Sequence, residues 1–458
     1  MPEKYDVVVI GSGTAGQTAA YTLKKKGLKI ALADHTDRPG GTCALAGCQA
    51  KKWFYEATEL VARSQHLTGR GIRSAAVADW GGLLKEKNKF TSNIPENTVN
   101  GLYEEGIDYL KGLARFSDQR TIVVDGHNLT TDYILIASGA VPMPLPIEGA
   151  EHMITSEAFL ELAELPKRIV FVGGGFISFE FAHFAARLGA GKTKCIILEA
   201  NEHPLGQFDT EMVDLLTAIS VQEKIDIFCD VNITAITKQS DEFTVKTASG
   251  QAFKADLVVH GAGRVANIAS LELEKAGIEH TKQGITVTNE MVTTNPNVYA
   301  AGDCAATIQL ARVADFEAQV AADNIIAHKQ NKPQRRTIDY GAVPAVLFTY
   351  PQYAMVGMTE AALKQKGMAY QKSFSKNLSW PTYKRVGLKG AAFKILSSPK
   401  GNILGAHILS DYATGLINVF SLAINNQITV ETLYRKSVMT PYPSRESDII
   451  YMLSSLLE

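Results

Sequence analysis

The chain opens with a short apolar run that passes directly into a helical pattern. Residues 6–10 are mostly β-branched, which is typical of a strand buried on both faces of a parallel sheet. Residues 14–26 then carry alanine and leucine at helical spacing, end in three lysines and stop at Gly27. Residues 29–33 read as a second strand. These patterns together predict a β-α-β unit.

A second unit of the same kind begins about 160 residues later. Residues 168–172 form an apolar run, three glycines follow, and residues 176–188 have a helical pattern that stops at Gly189. Residues 194–198 then read as another buried strand. Two such units predict two nucleotide-binding modules in one chain.

The rest of the chain has a different texture. Residues 53–62 have a helical pattern, and residues 121–138 read as short strands. The proline-rich segment 142–146 suits a linker, and from about residue 340 strands and helices follow in an α+β pattern. We therefore expect an α/β fold with two Rossmann-like dinucleotide-binding domains and a C-terminal α+β domain.

Composition narrows the class of protein further. The 458 residues carry 46 Lys and Arg against 47 Asp and Glu, and 46% of them are hydrophobic. This balance is ordinary for a globular protein and argues against a nucleic-acid partner. The five cysteines are too few for a disulfide-stapled secreted chain, and no leader pattern or long apolar span is visible. We expect a cytoplasmic protein without a membrane association.

The first unit carries a dinucleotide fingerprint. Gly11, Gly13 and Gly16 fit the pattern G-x-G-x-x-G between the predicted strand and helix. These glycines allow a tight turn, close approach of the backbone to a pyrophosphate, and close packing of the helix on the strand. Asp34 follows 21 residues after Gly13, where a carboxylate can accept a hydrogen bond from a ribose hydroxyl.

The second unit has the same elements with one change. Gly173 and Gly175 match the first two glycines, and the small residue Ser178 stands in place of the third. The second strand of this unit is followed by Glu199. A carboxylate there binds the 2′-hydroxyl of NAD and repels the 2′-phosphate of NADP, so we expect NADH to be preferred.

Cys43 and Cys48 lie five residues apart, just before a predicted amphipathic helix. A helix N-terminus stabilises a thiolate and lowers the pKa of cysteine, as a reactive dithiol requires. The other three cysteines are scattered singly, so a metal site lacks its further ligands and none is expected.

These motifs together resemble the class I FAD-dependent pyridine nucleotide-disulfide oxidoreductase family, which includes glutathione reductase, lipoamide dehydrogenase and mercuric reductase. The resemblance covers essentially the whole chain and also rests on segments 137–139, 263–267, 294–303 and 348–360. It implies an FAD domain in two parts (1–150 and 271–339), an NAD domain (151–270) and a dimerisation domain (340–458).

The resemblance also implies roles for individual residues. For FAD it implies contacts from Gly11, Gly13, Gly16, Asp34, Gly41, Thr42, Ser138, Gly139, Gly302 and Asp303. For NAD it implies contacts from Gly173, Gly175, Phe176, Ile177, Glu199, Gly263 and Arg264. Cys48 would be the thiol next to the flavin and Cys43 the thiol that meets the substrate. Glu180 would form an ion pair with Lys51 or Lys52 on the flavin side.

The C-terminal segment departs from the family pattern. Disulfide reductases of this family usually carry a histidine and a glutamate there, which act on the dithiol of the partner subunit. Here Tyr442 replaces the histidine and Ser447 the glutamate. Tyrosine has a reference pKa near 10, so it can donate a proton but is a poor base. Because no cysteine follows Cys304, mercury is not expected as a substrate.

The leading hypothesis is a homodimer that passes electrons from NADH through FAD to the Cys43–Cys48 disulfide, and on to a small sulfur-containing substrate. A second is an NADH:acceptor reductase that uses a quinone, a dye or oxygen at the flavin. A third is a non-catalytic FAD-binding partner subunit. The aromatic residues Trp53, Phe54 and Tyr55 either line a substrate pocket or pack in the core.

Overall fold

The structure is a computed structural model that describes residues 3–333 and 335–457. Its α-helices are α1 (Thr14–Lys24), α2 (Gly41–Leu45), α3 (Cys48–Leu67), α4 (Trp80–Thr91), α5 (Ile94–Glu104), α6 (Ser156–Phe159), α7 (Phe176–Leu188), α8 (Thr210–Gln222), α9 (Ala311–Lys329), α10 (Glu360–Gln365), α11 (Pro381–Val386), α12 (Ala413–Asn425), α13 (Val430–Ser437) and α14 (Ile449–Leu453).

The strands are β1 (Glu3–Ile10), β2 (Ile30–Asp34), β3 (Asp108–Lys111), β4 (Ala114–Phe116), β5 (Thr121–Val124), β6 (His127–Ile136), β7 (Ala140–Pro142), β8 (Arg168–Val172), β9 (Lys194–Leu198), β10 (Ile225–Phe228), β11 (Ile233–Gln239), β12 (Glu242–Thr247), β13 (Ala252–Ala255), β14 (Leu257–His260), β15 (Arg264–Ala266), β16 (His280–Thr281), β17 (Gly284–Ile285), β18 (Val298–Ala300), β19 (Ala345–Leu347), β20 (Gln352–Gly357), β21 (Gln371–Ser375), β22 (Ala392–Ser397) and β23 (Ile403–Ser410).

The chain divides into two compact units. Unit 1 runs up to Trp53 and adds Leu84–Pro144 and Gly263–Asp339. Unit 2 contains Phe54–Leu83, Leu145–Ala262 and the chain from Tyr340 onward. Each unit is built from three separate segments.

Unit 1 is organised around a mainly parallel sheet in which β3, β2, β1 and β6 lie side by side. Strand β18 joins β6 in parallel register, and β5 and β4 continue the sheet in antiparallel register. Val7, Val8 and Val9 are fully buried, as the continuous apolar run predicts for a strand covered on both faces. The first β-α-β unit is therefore confirmed.

Unit 2 contains a parallel sheet in the order β10-β9-β8-β14 and an antiparallel meander of β11, β12 and β13. The second β-α-β unit, β8-α7-β9, has the bounds that the sequence pattern predicts for it. The C-terminal part forms an antiparallel sheet in the order β19-β20-β23-β22-β21, and α12 packs on β20 and β23. The α/β fold class is confirmed.

The helix after the dithiol is longer than predicted. The pattern indicates residues 53–62, but α3 begins at Cys48 and ends at Leu67. The sequence has no clear helical pattern at α4, because two glycines occupy its first turn. The position of this helix depends on Trp80, whose ring centroid lies 4.5 Å from that of Phe54. Among the described residues, no helix combines the length and the apolar character that crossing a bilayer requires.

Candidate dinucleotide and dithiol sites

The first glycine turn connects β1 to α1 and has room only for glycine at two positions. Gly11 has a φ of +107°, and a Cβ there would lie 2.3 Å from the carbonyl oxygen of Ala137. A Cβ on Gly16 would lie 1.9 Å from the carbonyl oxygen of Gly11. Gly13 differs, because an added Cβ meets only the Cα of Gly41, at 3.8 Å. A Cβ at Gly13 thus meets no clash within the protein, so the glycine here is not required by packing and leaves room for a close ligand.

Asp34 at the end of β2 is tied to this turn. Its carboxylate accepts hydrogen bonds from the backbone N–H of Ser12 at 2.7 Å and from the Ser12 hydroxyl at 2.5 Å. The backbone N–H of Thr36 donates to the other carboxylate oxygen at 2.9 Å. Asp34 therefore has a fixed orientation beside the glycine turn.

A cavity lies beside Asp34 and the turn. Its lining comes from the ends of β1 and β2 and from the loops around them, and consists of Ile10, Gly11, Ala33, Asp34, His35, Gly112, Leu113, Ala114, Ser138, Asn267, Ser270 and Leu271. Hydrogen-bonding groups and apolar side chains thus surround the space next to the Asp34 carboxylate. This combination suits the adenosine end of a dinucleotide.

Further predicted FAD residues are gathered in the same unit. Asn267 donates from its backbone N–H to the carbonyl of Gly139 at 2.9 Å and from its amide to that of Ser138 at 3.3 Å. The backbone N–H of Gly302 donates to the buried carboxylate of Glu317 at 2.7 Å. Burial raises the pKa of Asp303, and Arg264 partly offsets this increase. The glycine turn, Asp34 and this buried acid fit the polar groups of FAD.

The second turn, between β8 and α7, repeats the first. Gly173 has a φ of +95°, and a Cβ there would lie 2.4 Å from the Cα of Ala262. Glu199 accepts a hydrogen bond from the backbone N–H of Gly174 at 2.6 Å, and its other oxygen accepts two from Asn201 at 2.8 and 2.5 Å. The hydroxyl of Ser178, at the third glycine position, donates to the Gly173 carbonyl at 2.5 Å.

The first turn of α7 carries the other predicted NAD residues of this module. Gly175 is the N-cap of the helix and has extended backbone geometry. Phe176 is 51% exposed at the helix start, and Ile177 follows it. Gly263 and Arg264 lie in unit 1 instead, where Gly263 accepts from Met143 at 3.1 Å and Arg264 donates to the Ala140 carbonyl. Their role in NAD binding stays a prediction.

The two cysteines occupy different elements. Cys43 lies within the short helix α2, and Cys48 is the first residue of α3. The start of α2 is held against the glycine turn, since a Cβ on Gly41 would lie 2.4 Å from the Cα of Gly13. Thr42 is exposed next to them. The structure thus places the two cysteines close to the first glycine turn.

The pKa of Cys43 contradicts the simple expectation from helix position. A hydrogen bond to Cys48 and burial raise the pKa of Cys43 well above its usual value. The expected lowering by a helix N-terminus is therefore wrong for Cys43, because its hydrogen bond to Cys48 and its burial favour the protonated thiol.

The predicted flavin-side ion pair is divided between the two units. Glu180 on α7 is 1% exposed and accepts a hydrogen bond from the backbone N–H of Phe348 at 2.9 Å. Lys51 and Lys52 are half-buried in the first turns of α3, in unit 1. The pairing of Glu180 with either lysine stays a prediction.

The C-terminal segment has no acid in place of the family glutamate. Tyr442 is 76% exposed in this chain. Ser447 hydrogen bonds with Ser444, accepting from its N–H at 3.1 Å and donating to its carbonyl at 2.7 Å. Arg445 makes two hydrogen bonds to Asp411, at 2.8 and 2.9 Å, which anchor the segment.

The aromatic run after the dithiol is mostly structural. Phe54 and Tyr55 are buried, and the Tyr55 hydroxyl accepts a hydrogen bond from Gln352 at 2.6 Å. Trp53 is 37% exposed and its ring centroid lies 6.0 Å from that of Phe90. Core packing therefore accounts for two of the three aromatic residues.

Sequence reasoning missed Ser12 and Glu317. Ser12 occupies a variable position of the glycine fingerprint, so the motif gave it no weight. Glu317 is fully buried in α9 among alanines, and an acid in such a surrounding is a signal that could have identified it.

Comparison with known proteins agrees with this geometry. Residues 5–318 match the model of the family described as pyridine nucleotide-disulphide oxidoreductase, and residues 343–448 match its dimerisation domain. Dihydrolipoyl dehydrogenase of Chlamydia pneumoniae is 30% identical over 447 residues, which cover 95% of this chain and 93% of that protein. Mercuric reductase of Staphylococcus aureus is 31% identical, covering 94% of this chain and 78% of that protein.

A solved structure is similar over nearly the full length. It is the HOCl-induced flavoprotein disulfide reductase RclA from Escherichia coli, with a TM-score of 0.86 and 25% sequence identity. The match covers 98% of this chain and 99% of that one. With two dinucleotide turns and a C-terminal dimerisation domain in family order, the chain belongs to the pyridine nucleotide-disulphide oxidoreductase family.

Proposed function

We propose that this protein is an FAD-dependent NADH:disulfide oxidoreductase, in which electrons pass from NADH through FAD to Cys43 and Cys48 and then to a small sulfur-containing substrate. The observation that carries the proposal is the hydrogen-bonded cysteine pair held beside the first glycine turn, through the contact of Gly41 with Gly13. A regulatory or structural pair would not need to lie beside a dinucleotide site.

The residues around the first turn would hold FAD. The backbone at Gly13 would bind the pyrophosphate. Asp34 would bind the adenosine ribose, and Asp303 would bind the ribityl chain. When bound, FAD would supply the redox chemistry, since it can accept a hydride from NADH and pass two electrons to the disulfide. The raised pKa of Asp303 supports this assignment, because a buried acid with little neutralisation gains from the hydroxyl donors of a ligand.

Glu199 would set the choice of nicotinamide nucleotide. Its carboxylate lies at the end of the second strand of the unit and is oriented by Gly174 and Asn201. A fixed negative charge there accepts from a ribose hydroxyl and repels a phosphate, so NADH is preferred to NADPH. Phe176 would cover the nicotinamide pocket.

The dithiol would reduce its substrate in two exchange steps. The Cys43 sulfur attacks a substrate disulfide, forming a mixed disulfide and releasing one substrate thiol, which takes up the Cys43 proton. The Cys48 sulfur then attacks Cys43, releases the second thiol and restores the Cys43–Cys48 disulfide. Two electrons and two protons reach the substrate.

The replacement of the family histidine and glutamate by Tyr442 and Ser447 would restrict which disulfides are reduced quickly. Tyr442 can donate a proton to a leaving thiolate but is a poor base, and Ser447 provides no carboxylate to orient it. Disulfides with leaving thiols of low pKa need little protonation and would be reduced faster than alkyl disulfides such as glutathione disulfide.

The protein would act as a cytoplasmic homodimer whose C-terminal segment reaches the dithiol of the partner subunit. The match to a dimerisation domain supports the homodimer. We propose the same domain limits as the resemblance implies, with FAD bound by 1–150 and 271–339, NAD by 151–270, and the subunit interface formed by 340–458.

An anaerobic titration of the FAD-loaded protein with NADH tests the proposal. A long-wavelength absorbance band from a thiolate next to the flavin should appear as NADH is added. Its absence in both the wild type and Cys43→Ser would overturn the proposal. Cys43→Ser should also abolish disulfide reduction; if NADH oxidation by a quinone or a dye is the main activity and survives this change, the protein is an acceptor reductase instead.

A further inference from the structure

Three polar residues of unit 1 form a connected group at the start of α9. The hydroxyl of Thr14, the first residue of α1, donates to one carboxylate oxygen of Asp315. Arg312, one helical turn before Asp315, contacts the other carboxylate oxygen at 3.2 Å. The Asp315 side chain is 19% exposed and that of Arg312 is 96% exposed. The Asp315 carboxylate is thus mostly buried, and the Arg312 guanidinium is accessible to solvent and solutes.

This group is connected through the first glycine turn to the segment that carries Cys43. Thr14 follows Gly13, and Gly13 is in contact with Gly41, two residues before Cys43. Consistent with this placement, the charges of Asp315 and Arg312 both act on Cys43: Asp315 raises the pKa of its thiol and Arg312 lowers it. Helix α9, 19 residues long, packs along α1, so the group lies on two helices that contact each other.

We infer that Arg312, oriented by Asp315 and Thr14, is an anion-binding subsite beside Cys43 that selects disulfides carrying a carboxylate or another negative group near the sulfur. The inference rests on the proposed function, because it names the substrate class of the same dithiol. A planar guanidinium can bind a carboxylate with two parallel hydrogen bonds, and one of its edges remains available beyond Asp315.

An anionic group would matter at the step in which Cys43 attacks. The sulfur–sulfur bond of the substrate breaks, a bond forms to Cys43, and the departing thiol carries a second negative group into the same site. Arg312 would hold both the incoming disulfide and this departing half. The Arg312 guanidinium would therefore compensate the negative charge of the substrate groups, which neither Tyr442 nor Ser447 can neutralise.

Alkylation of Cys43 tests the subsite without turnover. The NADH-reduced, FAD-loaded protein is treated with iodoacetate or with iodoacetamide, and peptide mass spectrometry follows carboxymethylation or carbamidomethylation of Cys43. In both reactions the thiolate displaces iodide, so the ratio of the two rates cancels any change in the pKa of Cys43. We expect Arg312→Glu to lower the iodoacetate-to-iodoacetamide ratio about fivefold or more, and Arg312→Gln by less.

Lys25→Glu is the matched control, because it reverses a charge at the opposite end of α1 from Thr14. It should leave the ratio unchanged, and raising the ionic strength should reduce the effect of Arg312→Glu. A ratio that Arg312→Glu does not change, or that Lys25→Glu changes equally, would overturn the inference.

A pair of disulfides connects the subsite to function. The wild type should reduce 5,5′-dithiobis(2-nitrobenzoate), which is anionic, and neutral 4,4′-dithiodipyridine, both of which release thiols of low pKa. Arg312→Glu should lower kcat/KM about fivefold or more for the first and less than about twofold for the second. Equal losses would overturn the inference alone. If the wild type reduces neither compound, the proposed function and the substrate subsite fail together.

Discussion

The backbone N–H of Gly174 donates a 2.6 Å hydrogen bond to the carboxylate of Glu199. The equivalent pair in unit 1 is Ser12 and Asp34, at 2.7 Å. In each module the middle residue of the glycine turn thus orients the acid that follows the second strand. The two acids have the same position but bind different dinucleotides in our proposal.

Removing the charge of Glu199 should weaken the discrimination against NADPH. We expect Glu199→Gln to lower the ratio of kcat/KM for NADH to that for NADPH about tenfold, because the amide no longer repels a 2′-phosphate. Glu202→Gln removes a charge from the same loop, at a side chain that is 81% exposed, and should leave the ratio unchanged. Steady-state kinetics with both nucleotides measures the ratio, and an equal effect of both changes would contradict the role of Glu199.

Gly13→Ala should separate FAD binding from folding. Gly13 has a φ of −69° and extended geometry that any residue adopts, and its added Cβ has space in the protein alone. The methyl group would instead occupy the surface for the pyrophosphate. We expect loss of most bound FAD, measured as flavin absorbance per subunit, with an unchanged urea midpoint of the apoprotein.

Gly11→Ala is the contrasting variant. Its Cβ would collide with the Ala137 carbonyl at a φ that disfavours side chains, so both FAD content and apoprotein stability should fall. If Gly13→Ala keeps its FAD, the pyrophosphate does not lie over Gly13.

Lys394 should be essential for the stability of unit 2. Its side chain is 1% exposed, and its ammonium lies 2.6 Å from Asp209, 2.8 Å from Glu211 and 3.1 Å from Glu360. We expect Lys394→Met to reduce the free energy of unfolding by about 3–5 kcal/mol, because it leaves buried carboxylates without their cation.

Lys372→Met is the control for that change. Lys372 is 37% exposed and contacts Glu360 at 3.2 Å, so its loss should cost less than about 1 kcal/mol. Chemical denaturation curves of both variants provide the comparison, and similar losses would show that burial is not what makes Lys394 important.

His407 should make the protein less stable in acid. It lies buried on β23, with Nε2 3.2 Å from the Met358 carbonyl. Burial lowers the pKa of His407 to about 4, against an opposing effect of Asp209. Below about pH 6.5 the unfolded chain binds a proton that the folded chain does not, so stability falls with pH until the folded histidine is protonated near pH 4.

His407→Gln should remove this contribution. Between pH 6.5 and pH 4 the free energy of unfolding of the variant should fall less than that of the wild type, by about 3 kcal/mol over the whole interval. Chemical denaturation at several pH values measures it. Exposed His127→Gln should leave the slope as it is in the wild type. A variant as acid-sensitive as the wild type would assign the effect to other groups, of which buried His183 is the first to examine.

Local patterns predicted the elements that carry local signals. The bounds of α7 and β9 agree with the apolar spacing and the flanking glycines. The glycine turns follow from glycines at positions where a positive φ or a close approach excludes other residues. Helix α4 lacked such a signal, since a tertiary contact, that of Trp80 with Phe54, positions it.

The α/β class, the two β-α-β units and the family follow from the sequence, because they depend on residue types at fixed short spacing. The environment of each group depends instead on the tertiary structure. It raised the pKa of Cys43 where helix position predicted lowering, and it joined Thr14 to Asp315 across 301 positions of the chain. Electrostatic and hydrogen-bonding partners are set by distance in space, and no local pattern encodes which distant residues become neighbours.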